Sequence, residues 1–289
     1  MTNASTSLER ILLAFHPAMP HAASLAKTIA AYLRERSIDV TSAPLHTDEY
    51  ARLMHHAWPQ VLITLGGDGT MLRAGHQSGP ADIPMLGINL GRIGFLTEAP
   101  ADEWESAIEM LLAGQYRIEP RMMLEAEHVS DGETRGTWLV VNECVVGRGE
   151  QVRPVELRTE IDGQHLTRYM ADGLIVSTAT GSTAYALAAG GPILPPTSRN
   201  ILLVPVAPHL SIDRAIVLES HSRICIRVHT DHLASVCVDG KMPVPMEDGD
   251  HVHVRTSEHA VTFIRMRGQD YFYRMLTSHM NIHATKGEQ

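Results

Sequence analysis

The stretch Val61-Leu62-Ile63-Thr64-Leu65-Gly66-Gly67-Asp68-Gly69-Thr70 decides how the first half of the chain is read. Five apolar or β-branched residues run without a charge into a turn of three glycines and one aspartate, followed by a helix-forming segment at 71–76. An unbroken apolar run of this length marks a strand covered on both faces, as in a parallel sheet. The pattern predicts a strand, a tight turn and a helix, the place where open α/β sheets bind their ligands. Glycines there let backbone N–H groups approach phosphate oxygens, and the start of the next helix favours negative charge. A carboxylate in the same turn is repelled by phosphate unless it accepts a proton or recruits a cation. Asp68 therefore reads as a group for catalysis or for magnesium rather than for holding phosphate. Taken alone, the tetrapeptide is equally compatible with a plain tight connection.

Outward from this turn, residues 10–114 alternate short apolar runs with helical stretches, as an open parallel sheet covered by helices requires. Strands are predicted at 11–15, 61–65 and 85–88, and helices at about 21–36, 48–57 and 102–112, the last ending at Gly114. Beyond Pro120 the chain changes to closely spaced strands separated by Asp131-Gly132, Asp162-Gly163, Asp239-Gly240 and Asp248-Gly249, the pattern of an antiparallel β domain. A small-residue helical stretch at 181–190 interrupts it. A strand at 261–266 and an amphipathic helix at 271–282 close the chain and return to the first domain. The expected division is an α/β nucleotide-binding domain at 1–120, completed by 260–289, and a β-rich domain at 121–259.

Composition narrows the function. A chain of 289 residues with 44% hydrophobic content is long enough for two ordinary domains. Its net charge of -9 argues against a protein built to neutralise nucleic-acid phosphates or an anionic membrane. The three cysteines, Cys144, Cys225 and Cys237, form no CxxC pair and fit a reducing compartment, where they read as core residues. With no signal-length apolar segment and no run of about eighteen apolar residues, the expectation is a cytoplasmic protein.

Three further blocks offer chemistry. Residues 87–98 contain Asn89-Leu90-Gly91 and Gly94-Phe95-Leu96-Thr97-Glu98 just past a strand, with glycines for close backbone approach and Phe95 as a flat face for a purine or a lid over core. Asn142-Glu143 follows the apolar stretch 138–141; an amide beside a carboxylate can read base and ribose hydroxyls of one nucleoside. Asp172-Gly173-Leu174-Ile175-Val176-Ser177-Thr178-Ala179-Thr180-Gly181-Ser182-Thr183-Ala184-Tyr185 leads from a strand into a hydroxyl-rich turn and a helix start, which suits an anionic or hydroxylated ligand. An N-capped, closely packed helix is the plainer reading of that turn. Neither Gly-x4-Gly-Lys-Ser/Thr nor Gly-x-Gly-x-x-Gly is present, so neither a P-loop nor an ordinary dinucleotide fold explains the glycines.

In this order the four blocks resemble the bacterial NAD kinase family, and the likeness spans roughly residues 10–282. The first block alone is shared with diacylglycerol and sphingosine kinases, but the fourth is far more discriminating, and its hydroxyls and Tyr185 do not suit the apolar channel of a lipid kinase. The resemblance implies an α/β domain with a Rossmann-like open sheet, then an all-β, sandwich-like domain, with an active site in the cleft between them. It implies transfer of a phosphoryl group from ATP, other triphosphates or polyphosphate to the 2′-hydroxyl of the adenosine ribose of NAD, with magnesium on the donor phosphates. Asp68 matches the acid that activates the hydroxyl, and Gly66, Gly67, Gly69 and Thr70 match the phosphate loop. Phe95 matches an aromatic beside adenine; Asn142, Glu143, Thr183, Ala184 and Tyr185 match the adenosine site; Asp172 matches an acid near the nicotinamide end. Family members are commonly dimers or tetramers joined through the second domain. The chain departs from its relatives at Ala179, where proline is frequent, at Ala186 and Ala188, where polar residues are frequent, and at Lys241, where glutamine is expected. A non-catalytic NAD(P)-binding sensor would share the fold, although intact Asp68 and Thr70 weigh against it. Among the seventeen histidines, the pairs His279/His283 and His251/His253 lack the further ligands of a zinc site and read as structural. His209 is the one to examine near a ligand, and Arg148 and Arg153 read as surface charge, with an approach to phosphates as the other reading.

Overall fold

The computed structural model describes residues 8–92, 94–209, 212–268 and 270–284, with the backbone alone for 278–284. The side chains of His279 and His283 therefore lie outside the described residues. The chain divides into two compact units, one running to Pro120 and resuming at Val261, the other spanning Arg121–Ala260.

The first unit begins β1 (Arg10–Phe15), α1 (Pro20–Arg34), β2 (Asp39–Pro44), α2 (Asp48–His55), β3 (Val61–Leu65), α3 (Asp68–Ser78), β4 (Met85–Asn89), β5 (Ala99–Pro100) and α4 (Trp104–Leu112). The strands lie in the order β4-β3-β1-β2 and run parallel. Every residue of β3 and β4 is buried, as strands covered on both faces require. Helix α1 starts with a proline in its first turn and buries Ala22, Ala26, Ile29, Ala30 and Leu33, one face at helical spacing. Helix α2 is capped by the Thr47 hydroxyl, which accepts the Tyr50 N–H, and places Asp48 and Glu49 where the helix dipole favours them. Ile11, Leu13, Ile29, Ile63, Ile88 and Ile108 share one core.

The sequence reading contains no strand at β2. Only Val40 and Ala43 are buried in it, so its apolar signal is faint. It lies at the end of the sheet, paired to β1 alone, where polar residues and a terminal proline are tolerated.

The second unit takes its strands from β6 (Arg117–Ser130), β7 (Glu133–Val140), β8 (Glu143–Arg148), β9 (Val155–Ile161), β10 (Gln164–Ala171), β11 (Gly173–Ser177), then the single turn α5 (Tyr185–Ala188), β12 (Asn200–Val206), β13 (Ile216–Glu219), β14 (Ile224–His229), β15 (Ala234–Val238), β16 (Val244–Met246) and β17 (His251–Arg265). One layer is β10-β9-β14-β17 with the β6–β7 hairpin, the other β13-β12-β11-β8-β15-β16. Their inner faces share a core to which Leu157, Tyr169 and Ile226 contribute from one layer and Val146, Leu174 and Val236 from the other. Asp131-Gly132 and Asp162-Gly163 close two-residue hairpins with positive φ at both positions, the geometry that Asp-Gly selects.

Strands β6 and β17 run across the unit boundaries in sequence. The end of β17 returns to the first unit, where Phe263 pairs with Met85, and helix α6 (Tyr271–Ala284) follows. No described helix is long and apolar enough to cross a membrane.

Candidate active site

The glycine turn is shorter than its sequence suggests. Gly67 is extended and caps α3, its carbonyl accepting the N–H groups of Thr70 and Met71 at 2.9 and 3.2 Å, so the helix begins at Asp68 and not near residue 71. Asp68, Gly69 and Thr70 form its first turn, whose first two N–H groups, those of Asp68 and Gly69, have no partner within the helix. Gly66 must be glycine because a Cβ there would run into the Thr70 side chain. At Gly67 a Cβ would meet nothing within 4 Å, which leaves open space over the helix start.

The Asp68 carboxylate faces back onto the loop after β4. Its Oδ2 accepts the Phe95 N–H at 2.8 Å, and its Oδ1 accepts those of Leu96 and Thr97 at 3.0 and 3.4 Å. A Cβ on Gly94 would overlap both carboxylate oxygens, so glycine is required there by the closeness of the approach. The other side of the loop is held by Arg265 at the end of β17. Its guanidinium donates to the carbonyls of Phe95, Leu96 and Thr97 at 3.1 to 3.2 Å and pairs with Glu98 and Glu119, all three charged residues being buried. Glu98 in turn accepts the N–H groups of Met266 and Arg267. Asn89, also buried, ties the loop start through Gly91, Arg92 and Thr97. The half-buried Phe95 ring lies 6.0 Å from Phe272 of α6.

In the second unit the Asn142-Glu143 pair sits where β7 gives way to β8. The Asp239 carboxylate accepts the N–H groups of Val141, Asn142 and Glu143 at 2.8 to 3.0 Å. Thr178 and Ser177 bond the carbonyls of Val141 and Asn142, and Gly181 is excluded from bearing a side chain by the Asn142 carbonyl and the Ser177 hydroxyl. Glu143 is buried; desolvation first, and the nearby Asp239 charge second, push its carboxyl up to about 7 against a hydrogen bond from the Tyr185 N–H. Its Oε2 and the Thr180 hydroxyl, both buried, have no partner among the described residues.

The helix expected at 181–190 is two short pieces: a 3-10 turn over Thr180–Thr183 and the single turn α5, separated by a non-helical Ala184. Hydroxyls explain the break. Ser182 donates to the Ala179 carbonyl and accepts the Leu194 N–H, and Thr178 accepts the Gly181 N–H, so side chains take bonds that a regular helix would make. This corrects the expectation that the hydroxyls of the turn await a ligand: those of Ser177, Thr178 and Ser182 are fully buried and used inside the fold.

Asp172 lies between β10 and β11, its carboxylate 3.4 Å from Arg148 Nε, so Arg148 is not simply surface charge. The two line a groove of about 260 Å³ with Gly173, Tyr185, Ser235 and Cys237. Cys237 is therefore a groove residue rather than core, while Cys144 is buried. Arg153 pairs with Asp231 at the surface, and the rings of His251 and His253 pack against each other. His209 is exposed and bonds the Met170 carbonyl through its backbone. No group of three or more metal-ligating side chains occurs among the described residues.

Against known families, residues 11–116 match the ATP-NAD kinase N-terminal domain and residues 141–266 the ATP-NAD kinase C-terminal domain. The chain belongs to the NAD kinase family. An NAD kinase of Dehalococcoides mccartyi is 40% identical over 270 residues, covering 93% of this chain and 94% of that protein. One from Burkholderia orbicola is 42% identical over 226 residues, 78% of this chain and 75% of its own length. A crystal structure of yeast NADH kinase complexed with NADH has the same fold, with a TM-score of 0.80 at 24% identity, over 94% of this chain and 87% of that one. An NAD kinase from Archaeoglobus fulgidus in complex with ATP follows at 0.75 and 24%, over 93% and 97%.

Within the NAD kinase fold, the predicted residues fall into two groups. Asp68, Gly66, Gly67, Gly69, Thr70 and Phe95 are gathered in the first unit; Asn142, Glu143, Asp172, Thr183, Ala184 and Tyr185 belong to the second. Sequence reasoning assigned no role to Arg265, Glu98 or Asp239. Arg265 had a signal, a lone charge closing the apolar run Phe263-Ile264, and Asp239 was read only as a turn residue.

Proposed function

We propose that the protein phosphorylates the 2′-hydroxyl of the adenosine ribose of NAD to give NADP, with ATP, other triphosphates or polyphosphate as donor. The observation that carries this reading is the state of Asp68: three backbone N–H groups fix its carboxylate, yet Oδ2 accepts only one of them, from Phe95. A carboxylate oxygen has two lone pairs, so Oδ2 keeps one for the hydroxyl proton.

Phosphoryl transfer asks for alignment, charge neutralisation and a proton acceptor rather than a covalent nucleophile. The open space over Gly67 and the N–H groups at the start of α3 suit the donor phosphates. Asn142 and Glu143 take the adenosine, with Thr183, Ala184 and Tyr185 beside it; Phe95 offers a face to adenine, and Asp172 serves the nicotinamide end. The 2′-oxygen attacks the terminal phosphorus in line, the bond to the donor's bridging oxygen breaks, and Asp68 receives the proton. Magnesium bound with the donor phosphates would supply neutralisation of the developing charge. The Asp68 oxygens are taken up by three N–H groups and the hydroxyl proton, so such a cation would be held by the donor phosphates and water. In the cell we place the protein in the cytoplasm as a homodimer or homotetramer joined through its second unit.

Purified protein incubated with NAD, ATP and magnesium should form NADP, and Asp68→Asn should lower turnover at least about a hundredfold while NAD still binds. Binding without NADP formation in the unaltered protein would instead make it a sensor.

A further inference from the structure

We infer that Arg265 is a positioning residue for phosphoryl transfer, acting on Asp68 through the loop 94–98. The inference rests on the reading of Asp68 above.

Two peptide units of the loop, Phe95–Leu96 and Leu96–Thr97, are gripped at both ends: the N–H groups of Leu96 and Thr97 donate to Asp68 Oδ1, and the carbonyls of Phe95 and Leu96 accept from the Arg265 guanidinium. Arg265 also bonds the Thr97 carbonyl, and Asp68 Oδ2 accepts the Phe95 N–H. Each peptide unit is a dipole, so a cation at its oxygen polarises it in the sense that strengthens its N–H as a donor. A three-pronged anchor also fixes the loop against rotation. Arg265 thereby holds Oδ1 through the Leu96 and Thr97 N–H groups and sets where the carboxylate sits.

A buried arginine needs a reason to be there. Hydrophobic residues of similar volume would hold a core at least as well as a buried ion pair. Arg265 is 6% exposed, between Glu98 and Glu119, with two of its nitrogens directed to loop carbonyls. Glu98 secures the arrangement by accepting the N–H groups of Met266 and Arg267, the residues following Arg265. A lysine would keep the charge but not the planar fork that reaches several carbonyls at once. Gly94 completes the device, since a side chain there would displace the Asp68 carboxylate.

The test uses the full chain with NAD and magnesium-ATP, comparing Arg265→Lys, Gly94→Ala and Asp68→Asn, with Arg265→Lys also placed in the Asp68→Asn background. Arg265→Lys should lower kcat at least about tenfold, leave KM for NAD within about threefold, and raise amide exchange at Phe95, Leu96 and Thr97. In the Asp68→Asn background the same change should cost less than about twofold, because residues acting as a unit are not additive. Gly94→Ala lies in the loop itself and should reproduce the kcat loss; it carries the test should Arg265→Lys fold poorly. Equal losses in both backgrounds, faster loop exchange with unchanged kcat, or an inert Gly94→Ala would each overturn the proposal. Near-normal turnover of Asp68→Asn would instead remove the reading of Asp68 on which it rests.

Discussion

Glu143 and Asp239 hold each other by reciprocal bonds: the Asp239 N–H donates to the Glu143 carbonyl at 3.0 Å, and the Glu143 N–H donates to Asp239 Oδ1 at 3.0 Å. The exchange brings a second carboxylate beside a buried one. Burial and that neighbour raise the Glu143 carboxyl to about 7, so the folded protein binds this proton more tightly than the unfolded chain does. Its stabilising effect is complete below the ordinary value of 4.5 and is lost as pH rises to about 7. Ribose hydroxyls donating to Glu143 favour its ionised form, so NAD affinity should increase with pH through about 7 and binding should release protons. Calorimetry in buffers of different ionisation enthalpy measures the release, and Glu143→Gln should abolish it; an unchanged proton count in that variant would remove Glu143 from the nucleoside site.

Asp172 gives a different balance. Its pair with Arg148 is about one-third exposed on both sides, and such pairs contribute about 0 to 1 kcal/mol to stability. Asp172→Ala should therefore leave the melting temperature nearly unchanged. If the carboxylate contacts the dinucleotide, a lost charged hydrogen bond of about 1.5 to 3 kcal/mol raises KM for NAD about tenfold or more. Steady-state kinetics beside thermal melts separates the two effects, and an unchanged KM would confine Asp172 to the Arg148 pair.

Gly181 is a steric rather than a flexible glycine. A methyl group there must displace the Asn142 carbonyl or the Ser177 hydroxyl, and both belong to the network under Asn142-Glu143. Gly181→Ala should destabilise the protein by about 1 to 3 kcal/mol, as overpacking does, and should weaken NAD binding as well. Urea denaturation and NAD titration on the same preparation check both; unaltered binding with lowered stability would show that the turn does not shape the nucleoside site.

Local signals carried most of the fold into the sequence. Asp131-Gly132 and Asp162-Gly163 name their own turn type, and an all-apolar run such as β3 announces a covered strand before any partner is known. β2 was silent because its pairing with β1 and its edge position, not its composition, make it a strand. The helix at 181–190 failed because hydroxyls that look like ligand donors were committed to backbone groups, which only the fold reveals. Asp68 was legible as a carboxylate in a glycine turn, but its partners were not. The contacts between Arg265 and the loop join residues separated by 168 to 170 positions, a relation that no local pattern encodes.

The buried pair His128–Asp250 supplies an acid-side test of the second unit. Nε2 of His128 lies 2.9 Å from Asp250 Oδ2, with both side chains under one-tenth exposed. Burial pushes the Asp250 carboxyl upward, but hydrogen bonds from the Glu247 N–H, Ser130 and His128 together outweigh it and hold the carboxyl below its ordinary value. The folded state thus binds this proton less tightly than the unfolded chain. Its contribution is present above the ordinary value of 3.8 and is lost as pH falls through the depressed one. Asp250→Asn removes the charge while keeping an oxygen acceptor and should cost about 2 kcal/mol near neutral pH, the scale of a hydrogen bond to a charged group. The deficit should shrink as the pH is lowered, because the unaltered protein then loses the same contribution. Chemical denaturation at neutral and acid pH measures the gap, and a gap that stays constant would mean that the carboxylate's charge does not stabilise the pair.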